Sequence, residues 1–342
     1  MRILITGGCG FVGSNLAIYL KEKLKNVKIS TLDNLYRKGS EINKERLKFH
    51  NINNLNIDIS NDNKIKKLPK YDLLIDCCAE AAVETSKTNP DKVIFTNFIG
   101  TYNSVKKCIR DKSNIIFLSS SRVYSIDAIK KIIGKENLKN KIKTNFLIDE
   151  NFNTSGVKSL YGLSKLSSEE LIKEYNYTQN LGYIINRFGV ISGPWQFGKQ
   201  DQGFVSMWIG KHLAKKKIKY VGFGGYGNQV RDVIHIDDVC EIILIQIQNL
   251  SKIKNETFNI GGGIKNKISL KDLTYKCQLV TGNKINIAKT IKTSNYDIPY
   301  YVSNNKKISK FYNWLPKKNI NQIVFDIYFW MITNKSIQRF FK

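Results

Sequence analysis

The chain has no run approaching the roughly 18 to 20 apolar residues that a membrane-spanning helix needs, and its opening Arg2-Ile3-Leu4-Ile5-Thr6 is too short for a signal-peptide core. Those two absences set aside an integral membrane protein and predict a cytoplasmic one. Six cysteines (Cys9, Cys77, Cys78, Cys108, Cys240, Cys277) contain no C-x-x-C pair, and the three histidines, His50, His212 and His235, lie far apart. Neither a disulfide frame nor a metal site follows from such spacing. Acidic residues are scarce, 28 against 55 basic, for a net charge of +27. A basic surface can neutralise phosphates, yet almost all of this charge is lysine spread along a chain rich in Asn and Ile, whereas nucleic-acid readers concentrate Arg and Lys on one face. Composition does not point to a nucleic-acid partner.

What is present is regular alternation. Over the first 187 residues short apolar runs (Arg2 to Thr6, Val27 to Asp33, Leu55 to Asp58, Asp72 to Cys77, Asn114 to Ser119, Tyr183 to Asn186) alternate with helical spacing over Phe11 to Lys25, about Pro90 to Arg110, and Leu160 to Tyr177. This predicts an α/β fold, a Rossmann-type doubly wound parallel sheet. Residues from about Ser125 to Ser159 are lysine-rich and poorly periodic, and read as an insertion beside the active site. After Gly189 the sequence turns rich in Gly and aromatics, with an apolar helix expected around Ile320 to Ile332. The predicted division is a dinucleotide-binding domain over 1–187 plus about 235–264, and a smaller substrate-binding domain over 188–234 and 265–342.

Thr6-Gly7-Gly8-Cys9-Gly10-Phe11-Val12-Gly13 stands between the first strand and the first helix. Glycines there permit a tight turn and close backbone approach to a pyrophosphate at the helix N-terminus. Asp33, 20 residues beyond Gly13 at the end of the second strand, is placed to accept ribose hydroxyls and to repel a 2′-phosphate, favouring NAD over NADP. The alternative for Asp33 is a turn cap. Asp58 ends the third strand within reach of an adenine amine, and Ala79 to Ala82 make a small-residue wall.

Tyr-x-x-x-Lys occurs three times: Tyr19 with Lys23, Tyr102 with Lys106, Tyr161 with Lys165. Residues four apart share a helix face, so a lysine there favours the phenolate; context must separate the three. Tyr161 opens its helix after a strand ending in Ser119-Ser120-Ser121-Arg122-Val123-Tyr124, which places hydroxyls at the C-terminal sheet edge, where ligands bind in such folds. Trp195 and Trp208 read as packing residues.

Through the Gly7 to Gly13 loop, Ser120, Tyr161 and Lys165, the chain resembles the extended short-chain dehydrogenase/reductase (NAD-dependent epimerase/dehydratase) superfamily along almost its whole length. Asp33-Asn34-Leu35, Ser120-Ser121-Arg122-Val123-Tyr124, Gly193-Pro194-Trp195-Gln196-Phe197-Gly198, Asp201-Gln202-Gly203 and Arg231-Asp232-Val233-Ile234-His235 resemble most the CDP-paratose 2-epimerase (CDP-tyvelose epimerase) group.

That resemblance implies Tyr161 as general base, Lys165 as the cation that a phenol of pKa about 10 needs near neutrality and as a partner of the nicotinamide ribose, and Ser120 orienting the sugar hydroxyl. It implies Asn34 and Asn97 on the cofactor, and Asn186, Gln196, Phe197 and Gln202 on the substrate. Arg187 and Arg231, two of only eight arginines, have forks suited to a nucleotide diphosphate, with a structural salt bridge as the competing reading for Arg231. The implied partners are a CDP- or UDP-linked sugar and a second copy of the chain. In 4,6-dehydratase relatives an acidic pair follows the catalytic Ser or Thr. Here Ser121 and Arg122 stand there, favouring epimerisation over water loss. Other readings are a UDP-sugar 4-epimerase or decarboxylase, and an RNA-binding protein on a dehydrogenase fold.

Overall fold

A computed structural model describes residues 1–82, 85–134, 138–198 and 203–341. In chain order the first half gives β1 (Arg2–Thr6), α1 (Phe11–Lys23), β2 (Lys28–Leu32), α2 (Ser40–Phe49), β3 (Asn53–Leu55), α3 (Asp62–Lys66), β4 (Leu73–Asp76), α4 (Thr85–Thr88), α5 (Pro90–Val93), a π-helical turn (Ile94–Ile99), α6 (Gly100–Asp111) and β5 (Asn114–Ser120). The second half gives α7 (Ile126–Ile133), α8 (Leu160–Gln179), β6 (Tyr183–Phe188), β7 (Val190–Ser192), α9 (Phe204–Leu213), β8 (Ile218–Val221), β9 (Val230–His235), α10 (Ile236–Gln248), β10 (Glu256–Ile260), β11 (Lys267–Ser269), α11 (Leu270–Thr281), β12 (Ile287–Thr290), β13 (Tyr300–Tyr301), α12 (Lys306–Tyr312) and α13 (Ile320–Thr333).

The chain forms two compact units. The first comprises Met1–Val123, Ser159–Arg187 and Cys240–Phe258. Its seven-stranded parallel sheet runs β10-β6-β5-β4-β1-β2-β3, so the order reverses between β1 and β4, the switch point where doubly wound sheets bind ligands. Such strands are buried on both faces and read as continuous apolar runs, as Ile3, Leu4 and Ile5 of β1 and Ile115, Ile116 and Phe117 of β5 do. Leu4, Leu74, Val105, Phe117, Ile172 and Ile185 belong to one core cluster of strands and covering helices. β3 pairs at 53–55 rather than at the expected 55–58.

The second unit comprises Tyr124–Lys158, Phe188–Val239 and Asn259–Lys342. β9 is its hub, antiparallel to β11 and parallel to β13 and β7. Its core joins Trp208 and Ile209 of α9 to Ile323, Ile327 and Met331 of α13. Trp208 donates its indole N–H to Thr274 at 2.9 Å, and Trp195 lies against Trp330, so both pack as expected.

The segment read as a poorly periodic insertion contains a helix. Ile126, Ile129 and Ile133 recur at helical spacing along the buried face of α7. Asn228 holds the Leu138 and Lys139 carbonyls at 3.0 Å each, and Tyr300 donates to Phe146 O at 2.7 Å. The segment is therefore part of the second unit. Ser125 is the N-cap of α7, its hydroxyl accepting the Ala128 N–H at 3.3 Å. Among the described residues no helix is long and apolar enough to cross a membrane.

Candidate active site

The glycine loop follows β1 as expected. Gly7 has φ +62°, a left-handed conformation, and a Cβ there would stand 2.9 Å from Cys78 Cα. At Gly13 a Cβ would lie 2.3 Å from the Gly7 carbonyl oxygen. Gly10 closes the turn, its N–H donating to Gly7 O at 3.0 Å. It is also the N-cap of α1 and has no side chain to satisfy the helix's first N–H groups, which belong to the turn carrying Phe11 and Val12. A backbone cradle with no room for Cβ atoms at an uncapped helix N-terminus fits a pyrophosphate.

The loop is pinned from two sides. The Cys9 N–H donates to Asp33 Oδ2 at 3.1 Å, and Asn43 Nδ2 donates to the Cys9 carbonyl at 3.1 Å. Asp33 Oδ1 also accepts the Leu35 N–H at 2.8 Å, so the turn-capping alternative is realised alongside the position at the cradle. Burial pushes the Asp33 carboxyl above its usual range, against the hydrogen bonds from Leu35 and Cys9.

Asn34 is exposed and donates to Asp58 Oδ2 at 2.6 Å. Burial pushes the Asp58 carboxyl up, but bonds from the Ser60 hydroxyl, the Ser60 N–H and Asn34 more than offset it and leave Asp58 below the usual range. Ala79 is half-buried, in the loop after β4. Fully buried Asp76 ends β4 by accepting from Thr6 at 2.6 Å and Thr101 at 3.1 Å, tying β1 and α6 to the sheet edge.

Asn97, expected on the cofactor, lies inside the first unit. It is fully buried in the π-helical turn, and its amide accepts the Glu80 N–H at 2.7 Å while donating to Glu80 O at 3.1 Å and Ser164 Oγ at 3.0 Å. With no surface open to a ligand, it braces the loop after β4 against α8. Ser164 in turn donates to Tyr161 O at 2.9 Å.

α8 begins where expected, because Ser159 caps it by accepting the Gly162 N–H at 3.2 Å. Tyr161 is half-buried in its first turn. One turn on, Lys165 is 2% exposed, with Nζ 4.4 Å from the centroid of the Phe117 ring of β5. Ser120, half-buried, closes β5 and accepts the Arg122 N–H through Oγ at 3.2 Å. The helix packs on β5 and on the 3₁₀ turn Ser121–Val123. Tyrosine and lysine thus share one helix face, set against the strand that ends in the serine. In the other two pairs Lys106 lies over the Tyr102 ring at 4.6 Å and also bonds Asp62 at 2.8 Å, and Lys23, on the exposed last turn of α1, lies over the Tyr19 ring at 5.8 Å.

Four of the residues expected on the substrate are engaged in contacts within the protein. Asn186 is fully buried in a reciprocal pair of 2.8 Å bonds with Gln246. Arg187 is 5% exposed and forks onto Glu169, Nε at 3.1 Å and Nη2 at 2.7 Å. Gln196 accepts from Ser192 at 2.8 Å and donates to Ile191 O at 3.1 Å, bracing its own loop. Phe197 packs 4.7 Å from Phe340 and 5.8 Å from Trp330, in the second unit's core. Gln202 lies outside the described residues. Arg231 contacts Ile298 O at 2.7 Å and Asp297 at 3.3 Å, so a salt bridge forms with Asp297.

Asn43, Asp76 and Glu169 were not foreseen. Glu169 carries a usable signal, since it repeats the four-residue spacing of Tyr161 and Lys165 on the same helix face.

The first unit thus defines a dinucleotide-dependent α/β enzyme with a serine, a tyrosine and a lysine at the C-terminal edge of the sheet. The chain belongs to the NAD dependent epimerase/dehydratase family, whose model matches residues 3–261, and it uses NAD. It is 30% identical to the CDP-paratose 2-epimerase of Salmonella typhi over 96% of this chain and 99% of that one. It is 31% identical to a putative UDP-glucose 4-epimerase of Methanocaldococcus jannaschii over 78% of this chain and 79% of that one. Among solved structures, UDP-glucuronic acid 4-epimerase of Bacillus cereus shares the fold with TM-score 0.82 at 22% identity, covering 97% of this chain and 99% of that one.

Proposed function

We propose that the enzyme inverts a sugar stereocentre of a nucleotide-linked sugar by transient oxidation, with the nucleotide CDP and the carbon C2. The observation that carries the epimerisation is the placing of Tyr161 and buried Lys165 on one face of α8 against β5, followed by Ser121 and Arg122 where elimination needs a carboxylate. Tyr161 Oη takes the proton of the sugar hydroxyl. Lys165, buried one helical turn beyond Tyr161, is the cation we assign to the pair. Ser120 Oγ bonds the same hydroxyl and fixes its orientation. The glycine cradle and Asp33 would hold NAD, which when bound would supply the acceptor for the hydride leaving the carbon and its donor to the other face. The keto-sugar turns over between the two transfers, and Tyr161 gives the proton back.

Support for a CDP-sugar and for C2 comes from the likeness to the Salmonella enzyme, which extends over nearly the whole of both chains. The comparable identity to the Methanocaldococcus protein, over a shorter span, favours a UDP-sugar and C4 as the second reading. Arg231 is the guanidinium we assign to the diphosphate, on the suitability of its fork for that group. The test is NMR analysis of products from a panel of CDP- and UDP-sugars with the NAD-loaded protein. Inversion at C2 of a CDP-sugar supports the first reading and inversion at C4 of a UDP-sugar the second. An inert enzyme that binds RNA in a salt-dependent way would replace both with a binding role.

A further inference from the structure

Glu169 stands on α8 four residues beyond Lys165 and eight beyond Tyr161, so the three follow one helix face. Its side chain is fully buried and joins three elements. The Ser119 hydroxyl of β5 donates to Oε1, and Arg187 of β6 forks onto both carboxylate oxygens. Ser119 is the covalent neighbour of Ser120. A single carboxylate therefore bolts the helix that carries the base and its cation to the strand that carries the hydroxyl.

We infer that Glu169, clamped by Ser119 and Arg187, is a positioning residue that sets the spacing of Tyr161 and Lys165 from Ser120. The inference rests on the roles proposed above for those three groups. Two buried charges are an expensive way to join helix to sheet, because apolar residues of similar volume often do it at no loss of stability. What they add is register: a bidentate fork fixes both translation and rotation of α8. Misplacing a reacting group by about 1 Å can cost on the order of a hundredfold in rate.

The test uses the NAD-loaded full chain. Ser119→Ala removes one arm of the clamp without changing any charge, so a change in pH behaviour reports geometry. The expected result is a fall in kcat of about tenfold with KM and bound NAD unchanged, the ascending limb of the kcat–pH profile moved to higher pH, and Ser119→Thr, which keeps the hydroxyl, close to wild type. A lower Tm with wild-type kcat per folded, NAD-loaded molecule would overturn the inference. The pair Glu169→Gln/Arg187→Met, which leaves no unpaired charge, is expected to lose more kcat than Ser119→Ala and likewise no KM. A second readout needs no substrate: titration of the Tyr161 phenol by ultraviolet difference against Tyr161→Phe. An upward shift in Ser119→Ala supports the clamp even if the wild type converts no sugar nucleotide, an outcome that would sink the functional reading alone. An unmoved titration overturns the clamp whether or not the enzyme turns over.

Discussion

Asp33 accepts the N–H of Cys9, a residue inside the glycine loop, at 3.1 Å. One carboxylate at the end of β2 therefore shapes the loop we assign to the pyrophosphate and is itself the group we assign to the ribose. Replacing it disturbs both. Charged hydrogen bonds contribute about 1.5 to 3 kcal/mol each, so Asp33→Ala is expected to weaken NAD binding about tenfold to a hundredfold and to narrow the preference for NAD over NADP. Calorimetric titration of cofactor-stripped protein with both dinucleotides checks this.

The raised carboxyl of Asp33 also fixes a pH dependence. The ionised form accepts ribose hydroxyls, and burial moves its protonation to higher pH than the usual value of about 4. NAD affinity is expected to fall as pH drops through that raised value, earlier than an ordinary aspartate would allow. Asp33→Asn should show weaker binding with a flatter profile as pH falls through that raised value.

At Gly13 an alanine Cβ would stand 2.3 Å from the Gly7 carbonyl oxygen, a clash with backbone on a loop that cannot yield freely. Gly13→Ala is expected to purify without NAD while retaining its fold. The ratio of released cofactor to protein, with circular dichroism, measures both.

Tyr161→Phe removes only the phenolic oxygen. General acid–base catalysis supplies about a hundredfold to ten-thousandfold, and kcat should fall by that range with bound NAD retained. The corresponding Tyr102→Phe change, at a tyrosine whose lysine is engaged by Asp62, should leave kcat within about twofold of wild type.

Asp232 is fully buried in β9 and accepts the N–H groups of Gly263 at 2.9 Å and Ser303 at 3.1 Å. Burial raises its carboxyl above the usual range despite these bonds. The folded protein then holds that proton more tightly than the unfolded chain. The resulting stability is full below the unfolded value of about 4 and is lost as pH rises through the raised one. Asp232→Asn, still able to accept both N–H groups, should remove this part of the pH dependence of Tm.

The cradle was legible in the sequence because it is local: Gly7, Gly10 and Gly13 are forced by backbone geometry within eight residues, and Asp33 follows at the end of the next strand. Tyr161 was separable from Tyr19 and Tyr102 by its place at a helix start beyond a strand ending in hydroxyls. Arg187 and Asn186 were not legible. A strand residue's neighbours come from other elements, here Glu169 of α8 and Gln246 of α10, and the chain gives no register for those contacts. Gln196 was assigned to the substrate by the family resemblance of its Gly- and aromatic-rich segment, and the sequence does not show that Ser192 and Ser206 bond its amide. α7 was hidden by its lysines, though Ile126, Ile129 and Ile133 carried the helical period.

Transient oxidation is tested most directly by running the conversion in heavy water and locating deuterium in the product sugar. A hydride that leaves the carbon and returns within one enzyme molecule leaves no solvent deuterium there, and the coenzyme shows no net reduction. Deuterium at the inverted carbon would mean that Tyr161 removes a C–H proton exchanged with solvent, and the account of Tyr161, Lys165 and Ser120 acting on a hydroxyl would be wrong.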